Sequence, residues 1–233
     1  RLEAVRATRA TRAQSYFTEN AERWDEIRSL HVDDREVERA LIATLAGRAI
    51  HDLVDMGTGT GRVLEVLAPH VTRGVGIDLS REMLAVARAN LERAGLRHCM
   101  VRQGDITQLP LPAASADAVT IHQVLHYATD PAAVVAEAAR VLQPGGLLLA
   151  VDFAPHQLEA LRDEHAHRRL GFSDDEVTGW LRAAGLEPGA ITRLPGQQLT
   201  VVLWTATRAG QPIEKTPPQK TPAQKTITTG AQA

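Results

Sequence analysis

Three acidic residues stand at intervals that suit the recognition of a charged, adenosine-bearing ligand. Asp55 opens the run Asp55-Met56-Gly57-Thr58-Gly59-Thr60-Gly61. An apolar stretch precedes this run, and Val63-Leu64-Glu65-Val66-Leu67 follows it with helical spacing. The pattern is strand, glycine turn, helix. Glycine has no Cβ and tolerates positive φ, so the backbone can approach a ligand there, and a helix start directs N–H groups at it. A dinucleotide fingerprint, G-x-G-x-x-G, needs a third glycine for close helix–strand packing. Counted from Gly57, that place holds Arg62. Asp55 is also awkward beside a pyrophosphate and suits a cationic ligand, such as the ammonium of a methionine moiety. The plainer alternative is a glycine turn that binds nothing.

The second acid, Asp78, ends the short run Gly74-Val75-Gly76-Ile77 about twenty residues past the glycines, where a carboxylate can accept both ribose hydroxyls. It is also a candidate helix cap, but Ser80 fills that role and leaves Asp78 to a ligand. Met83, one turn on, either faces an adenine or packs in the core. The third acid, Asp105 in Gln103-Gly104-Asp105-Ile106, can accept from an adenine amino group or form a simple Asp turn. One such acid is weak evidence, whereas acids at three successive strand ends converge on one rim.

These residues, with Leu142-Gln143-Pro144-Gly145-Gly146, resemble the successive motifs of class I S-adenosylmethionine-dependent methyltransferases over roughly residues 35 to 207. Within that family the resemblance is to small-molecule enzymes of the ubiquinone and menaquinone biosynthesis type. It is narrowest to the methyltransferase half of regulators that fuse an ArsR-type winged helix to such a domain. Tyr16 to Asn20, Trp24 to His31 and Glu164 to Phe172 carry that narrower likeness. The resemblance implies S-adenosylmethionine as cofactor and S-adenosylhomocysteine as product. It implies that Asp55, Gly57, Thr58, Gly59 and Gly61 hold the methionine end and Asp78 with Leu79 the ribose. Met83, Gly104, Asp105 and Ile106 fall to the adenine, and His122 to the pocket wall.

Positioning these groups needs a parallel sheet. Strands are expected near 50–56, 73–78, 98–103, 116–122 and 146–152, and helices near 35–46, 61–69, 80–94, 131–142 and 173–184. Alternation with short connections gives a sheet covered on both faces. Two extended runs across Pro195-Gly196 read as a hairpin. The expected fold is therefore α/β and Rossmann-like, with seven mostly parallel strands and a terminal antiparallel hairpin. That hairpin and Arg62 argue against a nicotinamide-dependent enzyme.

Ligands of open α/β sheets bind beyond the carboxyl ends of the strands, a rule that also brings His122 and Asp152 to the rim. His122-Gln123-Val124-Leu125-His126-Tyr127 is not the Asn/Asp-Pro-Pro-Tyr pattern of amino methylation in DNA, which argues against a DNA base as acceptor. If the acceptor needs a base, a histidine with a near-neutral pKa fits. His126 is the first candidate and His165 the second. Tyr16 and Trp24, with Tyr127 and Asp152, are assigned to the lid and acceptor side. His122 and His126, four apart, with Asp152 near, make a metal site conceivable. His165 and His167 could add ligands but, two apart, do not share a helix face, so satisfied pocket or surface histidines are the default and no metal is assigned.

The chain has 233 residues, 44% of them apolar, a net charge of −2 and one cysteine. The charge gives no global nucleic-acid footprint, and the lone Cys99 fits a reducing, cytoplasmic setting. No signal-peptide pattern opens the sequence. The expected organisation is a helical linker or lid over 1–34, a methyltransferase domain over 35–208 and a disordered tail over 209–233, rich in Pro, Lys, Thr and Gln. Arg6, Arg9 and Arg12 give the first segment a basic face. Because the sequence begins with arginine, an upstream winged helix that binds DNA is a second reading, with this domain sensing S-adenosylmethionine or S-adenosylhomocysteine. Dimerisation would then be an expectation for the longer protein.

Overall fold

The computed structural model describes residues 16–18, 20–24 and 34–210. The basic segment with Arg6, Arg9 and Arg12 and the tail after Gly210 lie outside the described residues.

Helix α1 (Asp34–Leu45) buries Val37, Leu41 and Leu45, one per turn, and places Asp34 and Glu36 against its positive N-terminal end. Strand β1 (Ile50–Met56), helix α2 (Arg62–Leu67) and strand β2 (Val71–Asp78) follow. Helix α3 (Arg81–Arg93) starts where the Ser80 hydroxyl accepts the N–H of Met83 at 3.2 Å, as the sequence predicts. It ends at Gly95, whose φ of 69° suits the left-handed stop after a helix. Strands β3 (Cys99–Gln103) and β4 (Ala116–His122) lead to helix α4 (Pro131–Val141), which the Asp130 carboxylate caps by accepting from Ala133 N–H at 3.1 Å. Then come β5 (Leu142–Phe153), the short α5 (Ala160–Glu164), α6 (Asp174–Ala183), β6 (Leu186–Pro195) and β7 (Thr200–Arg208).

The seven strands lie in the order β3-β2-β1-β4-β5-β7-β6. Strands β1 to β5 pair in parallel, and β7 runs antiparallel to both β5 and β6. This is the expected fold. Alternation along the strands feeds two cores. Leu53, Leu149 and Leu203 join α1, α2 and α3 on one face. Val54, Leu148 and Val202 join α4 and α6 on the other. The chain winds from β1 outward to β3, then restarts at β4 on the other side of β1, so a crevice opens between the carboxyl ends of β1 and β4.

Three features are absent from the sequence expectations. β5 begins at Leu142, four residues early, because Leu142 pairs with Ala116 across a register shift before the regular ladder resumes at Ala118. The short α5 and a 3-10 turn at Leu125–Tyr127 are too brief to leave a periodic signal. No helix among the described residues is long and apolar enough to cross a membrane.

Candidate active site

The glycine turn after β1 is tied down from below. The N–H groups of Gly57 and Thr58 donate to the Ile77 carbonyl at 2.8 and 3.1 Å, and that of Gly61 to the Thr58 carbonyl at 2.9 Å. Gly57 has φ 73°, and a Cβ there would lie 2.5 Å from the Val124 side chain. Glycine is required at this position because the segment after β4 presses directly on the turn. Arg62, at the place of the missing third glycine, reaches back to α1 and donates to both Glu38 carboxylate oxygens at 2.7 and 2.9 Å.

A cavity of about 210 Å³ opens above this turn. Asp78 lines it at the tip of β2. One of its oxygens accepts the N–H of Gly59 and the other that of Ser80, both at 2.9 Å. Burial pushes its pKa up, and the N–H groups of Ser80 and Gly59 pull it partly back. Asp55 lies at the base of the cavity, 1% exposed, and accepts from the Thr120 hydroxyl at 2.6 Å. Leu79, Met83 and Ile106 give the β2–β3 side an apolar wall. Leu79 is 52% exposed, unusual for a large apolar side chain. Asp105 also lines the cavity, but one of its oxygens already accepts from the main chain and hydroxyl of Thr107 at 2.8 and 2.7 Å. It therefore combines the ligand-facing position with the Asp turn. Gly104 packs between Pro110 and Ile77, where a Cβ would approach them to 2.9 and 3.0 Å. Gly61, the N-cap of α2, sits against Ala87. Both shape the backbone without lining the cavity.

His122, Gln123, Val124, Tyr127 and Ala128 form the β4 side of the same cavity. Sequence reasoning did not single out Gln123, although it is the most unusual residue here. Its φ is 52°, and its N–H is fixed to the Val151 carbonyl at 2.7 Å. It is 8% exposed, and its side-chain Nε2 is buried without a hydrogen-bond partner among the described residues. A non-glycine residue held in the left-handed region costs on the order of 1–3 kcal/mol, and an unmade buried hydrogen bond about as much. Nothing in residue type or spacing signals such a backbone.

Trp24 and Phe17 close the cavity from the N-terminal side. Trp24 rests over Gly59, its indole nitrogen 3.5 Å from where a Cβ would sit. Phe17 meets Tyr127 edge to face at 4.8 Å between ring centroids. Tyr16 does not line the cavity; its hydroxyl pairs with His165 Nδ1 at 2.7 Å and joins the lid to residues 154–172. Burial, with Tyr16 and Asp152 nearby, pushes the Tyr127 phenol well above its ordinary pKa. Tyr127 therefore stays protonated at neutral pH and offers a donor rather than a base.

His126 and Asp152 lie behind this wall. His126 Nδ1 is 2.8 Å from one Asp152 oxygen, and the His126 main-chain N–H donates to the other at 3.2 Å. The residues are 2% and 0% exposed, and neither lines the cavity. The His126 ring stacks on His167 at 4.0 Å. Arg168 completes the cavity beside Tyr127, with its guanidinium on the Thr129 hydroxyl at 2.7 Å.

Comparisons with known proteins agree with this architecture. A family described as "Methyltransferase domain" matches residues 54–150. The methyltransferase YcgJ of Bacillus subtilis is 32% identical over 144 residues, 58% of this chain and 57% of that protein. A ubiquinone biosynthesis O-methyltransferase of Ralstonia nicotianae is 33% identical over 205 residues, 79% of this chain and 84% of its own length. The crystal structure of Bacillus YcgJ superposes with a TM-score of 0.66 at 21% identity, covering 76% of this chain and all of that one. This chain thus spans little more than half the length of the first curated relatives it matches.

Proposed function

Since the chain belongs to the class I S-adenosylmethionine-dependent methyltransferases, we propose that it methylates a small-molecule acceptor bound on the β4–β5 side of the cleft. Its cofactor is S-adenosylmethionine, which supplies a methyl group on a sulfonium whose departing sulfur keeps the bonding electron pair. The residues present fit that molecule. Asp78 already accepts one N–H on each carboxylate oxygen, and each oxygen keeps a lone pair for a ribose hydroxyl. Asp55 puts a carboxylate below the turn, where a cationic amine is stabilised. The buried Thr58 hydroxyl has no hydrogen-bond partner among the described residues. Leu79, Met83 and Ile106 offer adenine an apolar slot, with Asp105 at its edge.

The single observation that carries this reading is the position of Asp78, which bridges the glycine turn and the start of α3 while facing the cavity. Support for a small acceptor comes from the enclosure of the cleft by Phe17, Trp24 and Tyr127, which leaves room for a compact molecule. The Ralstonia relative, whose name places it in ubiquinone biosynthesis, points the same way. The chain's own contribution to catalysis is alignment and exclusion of water, which together are worth roughly 7–11 kcal/mol. His126, tied to Asp152, is a positioning residue in this reading, and His165 holds the lid through Tyr16. The buried Cys99 supports a reducing, cytoplasmic setting.

Calorimetric titration of S-adenosylhomocysteine and NADH into the full chain, beside Asp78→Ala, tests the assignment. Saturable binding of the first, weakened at least about tenfold by the substitution, is expected. Binding of NADH in its place would overturn it.

A further inference from the structure

The cofactor reading leaves one part of the cleft without an occupant. Asp55, Asp78 and Asp105 stand at the ends of β1, at the tip of β2 and just past β3, so adenosine and methionine lie over that half of the sheet. Gln123 and Arg168 line the other half, beyond β4 and β5.

Both are held with unusual care. Gln123 combines a left-handed backbone, a main-chain tie to Val151 and a buried amide nitrogen that no acceptor among the described residues meets. Buried polar groups are nearly always satisfied, and strained residues gather at functional sites. The coincidence of both at one cavity-lining residue points to a ligand acceptor atom. Arg168 is anchored three ways. Its N–H donates to the His126 carbonyl at 2.9 Å, its carbonyl accepts from Arg162 at 2.7 Å, and its guanidinium donates to Thr129. Histidines aside, it is the one basic side chain among the described residues that line the cavity. The carboxylates on the far side repel an anion from the cofactor's half and favour it here.

We propose that Gln123 and Arg168 recognise an ionised oxygen on the methyl acceptor, with the Gln123 amide donating to it and the Arg168 guanidinium neutralising it. The inference rests on the methyl-transfer reading of the cleft and names its substrate class. That class is a flat, ring-bearing acceptor with an anionic oxygen, phenolate or carboxylate. The rings of Phe17, Trp24 and Tyr127 supply the matching aromatic walls. Such an acceptor arrives already ionised, so its oxygen needs no histidine base. Gln123 and Arg168 are specificity-determining residues rather than proton carriers.

The test uses the full chain saturated with S-adenosylhomocysteine, with 4-nitrophenol, benzoate and neutral nitrobenzene as probes. Calorimetry reads affinity, and the yellow phenolate band reads the ionisation of bound nitrophenol. At least one anion is expected to bind more tightly than nitrobenzene. Gln123→Met and Arg168→Met should each weaken it about tenfold, the scale of one charge-assisted hydrogen bond. Gln123→Asn, which tolerates the left-handed backbone but withdraws the amide by one methylene, should weaken it similarly and guards against misfolding of the methionine variant. Retention of the phenolate band at a pH where free nitrophenol is protonated identifies a phenolate site, and tighter benzoate identifies a carboxylate site. If neither anion outbinds nitrobenzene, or if all three variants bind like wild type while S-adenosylhomocysteine still binds, the inference is wrong. Failure of S-adenosylhomocysteine to bind wild-type protein would instead remove the methyl-transfer reading, and this inference with it.

Discussion

The main-chain carbonyl of His126 accepts the N–H of Arg168 at 2.9 Å, while the His126 ring is held by Asp152 at 2.8 Å. A buried dyad under the sheet rim thus sets the height of a cation on the cavity wall. Replacing His126 with alanine removes the ring and leaves the Asp152 carboxylate buried with only main-chain donors. A loss of about 1–3 kcal/mol in stability is expected. Affinity for S-adenosylhomocysteine should hold and turnover fall at least about tenfold. Denaturant unfolding, calorimetry and a methyl-transfer assay on the same preparation separate the three effects. Unchanged turnover would detach His126 from the acceptor wall.

Gly57 and Gly95 offer a paired comparison. Both have positive φ, 73° and 69°, but a Cβ on Gly57 would overlap Val124 whereas one on Gly95 meets nothing within 4 Å. Gly95→Ala should cost only backbone strain, about 1 kcal/mol, and leave cofactor binding intact. Gly57→Ala adds an overlap worth about 1–3 kcal/mol at the turn itself and should abolish measurable binding. Equal behaviour of the two variants would show that the Val124 contact does not govern the turn.

Asp78 predicts a pH dependence. Burial raises its pKa, so folding disfavours its charged form relative to the unfolded chain. The native state therefore takes up this proton more readily than the unfolded chain, and this group's contribution to stability improves as pH falls through its raised pKa. In the proposed binding mode ribose hydroxyls donate to the carboxylate, so the cofactor favours the ionised form. S-adenosylhomocysteine affinity should be flat near neutrality and decline on acidification beginning above the ordinary carboxylate range. Asp78→Asn should bind weakly and lose that dependence. A decline that persists in Asp78→Asn would assign it to another group.

Tyr16→Phe removes a single hydrogen bond between the lid and His165. The expected effect is about 0.5–1.5 kcal/mol of cofactor affinity, read as faster dissociation of S-adenosylhomocysteine in stopped flow. An unchanged off-rate would mean that Phe17 and Trp24 alone secure the lid.

The β1–β2 side of the cavity was legible because its residues are local in sequence. Asp55, Gly57 and Gly59 sit in one turn, Asp78 ends one strand, and Ser80 caps the next helix as its spacing indicates. The β4 side was not. Gln123 matters because of a backbone angle and an unmet amide, neither of which residue type reveals. Arg168 reaches the cavity through a carbonyl forty-two residues upstream in a different element, a contact without periodicity. His126 attracted notice as a titratable group beside β4, yet its ring turns to Asp152 beneath the wall. Sequence supplies its identity and neighbourhood but not its direction. The sheet order was readable in outline from strand–helix alternation, whereas the early start of β5 depends on pairing with Ala116, a partner that no local pattern names.

Residues 154–172 leave the sheet and return to it at nearly one point. The Phe172 N–H donates to the Phe153 carbonyl at 2.9 Å, and Gly171, at φ 83°, lies so close to the Ala154 carbonyl that no side chain fits. The two ends are thus stitched together beside β5. Closure entropy grows only slowly with loop length, so the exposed stretches of this excursion can vary in length at small cost, whereas Leu161, buried in the core with Phe153, and His167, stacked on His126, tie its middle to the sheet. Arg168 and His165 both ride on the excursion, while Asp55, Asp78 and the glycine turn do not. In the proposed reading the segment that carries Arg168 chooses what is modified while a separate frame carries the donor, and grafting the segment from a relative together with its buried Leu161 and His167 contacts is a route to new acceptors.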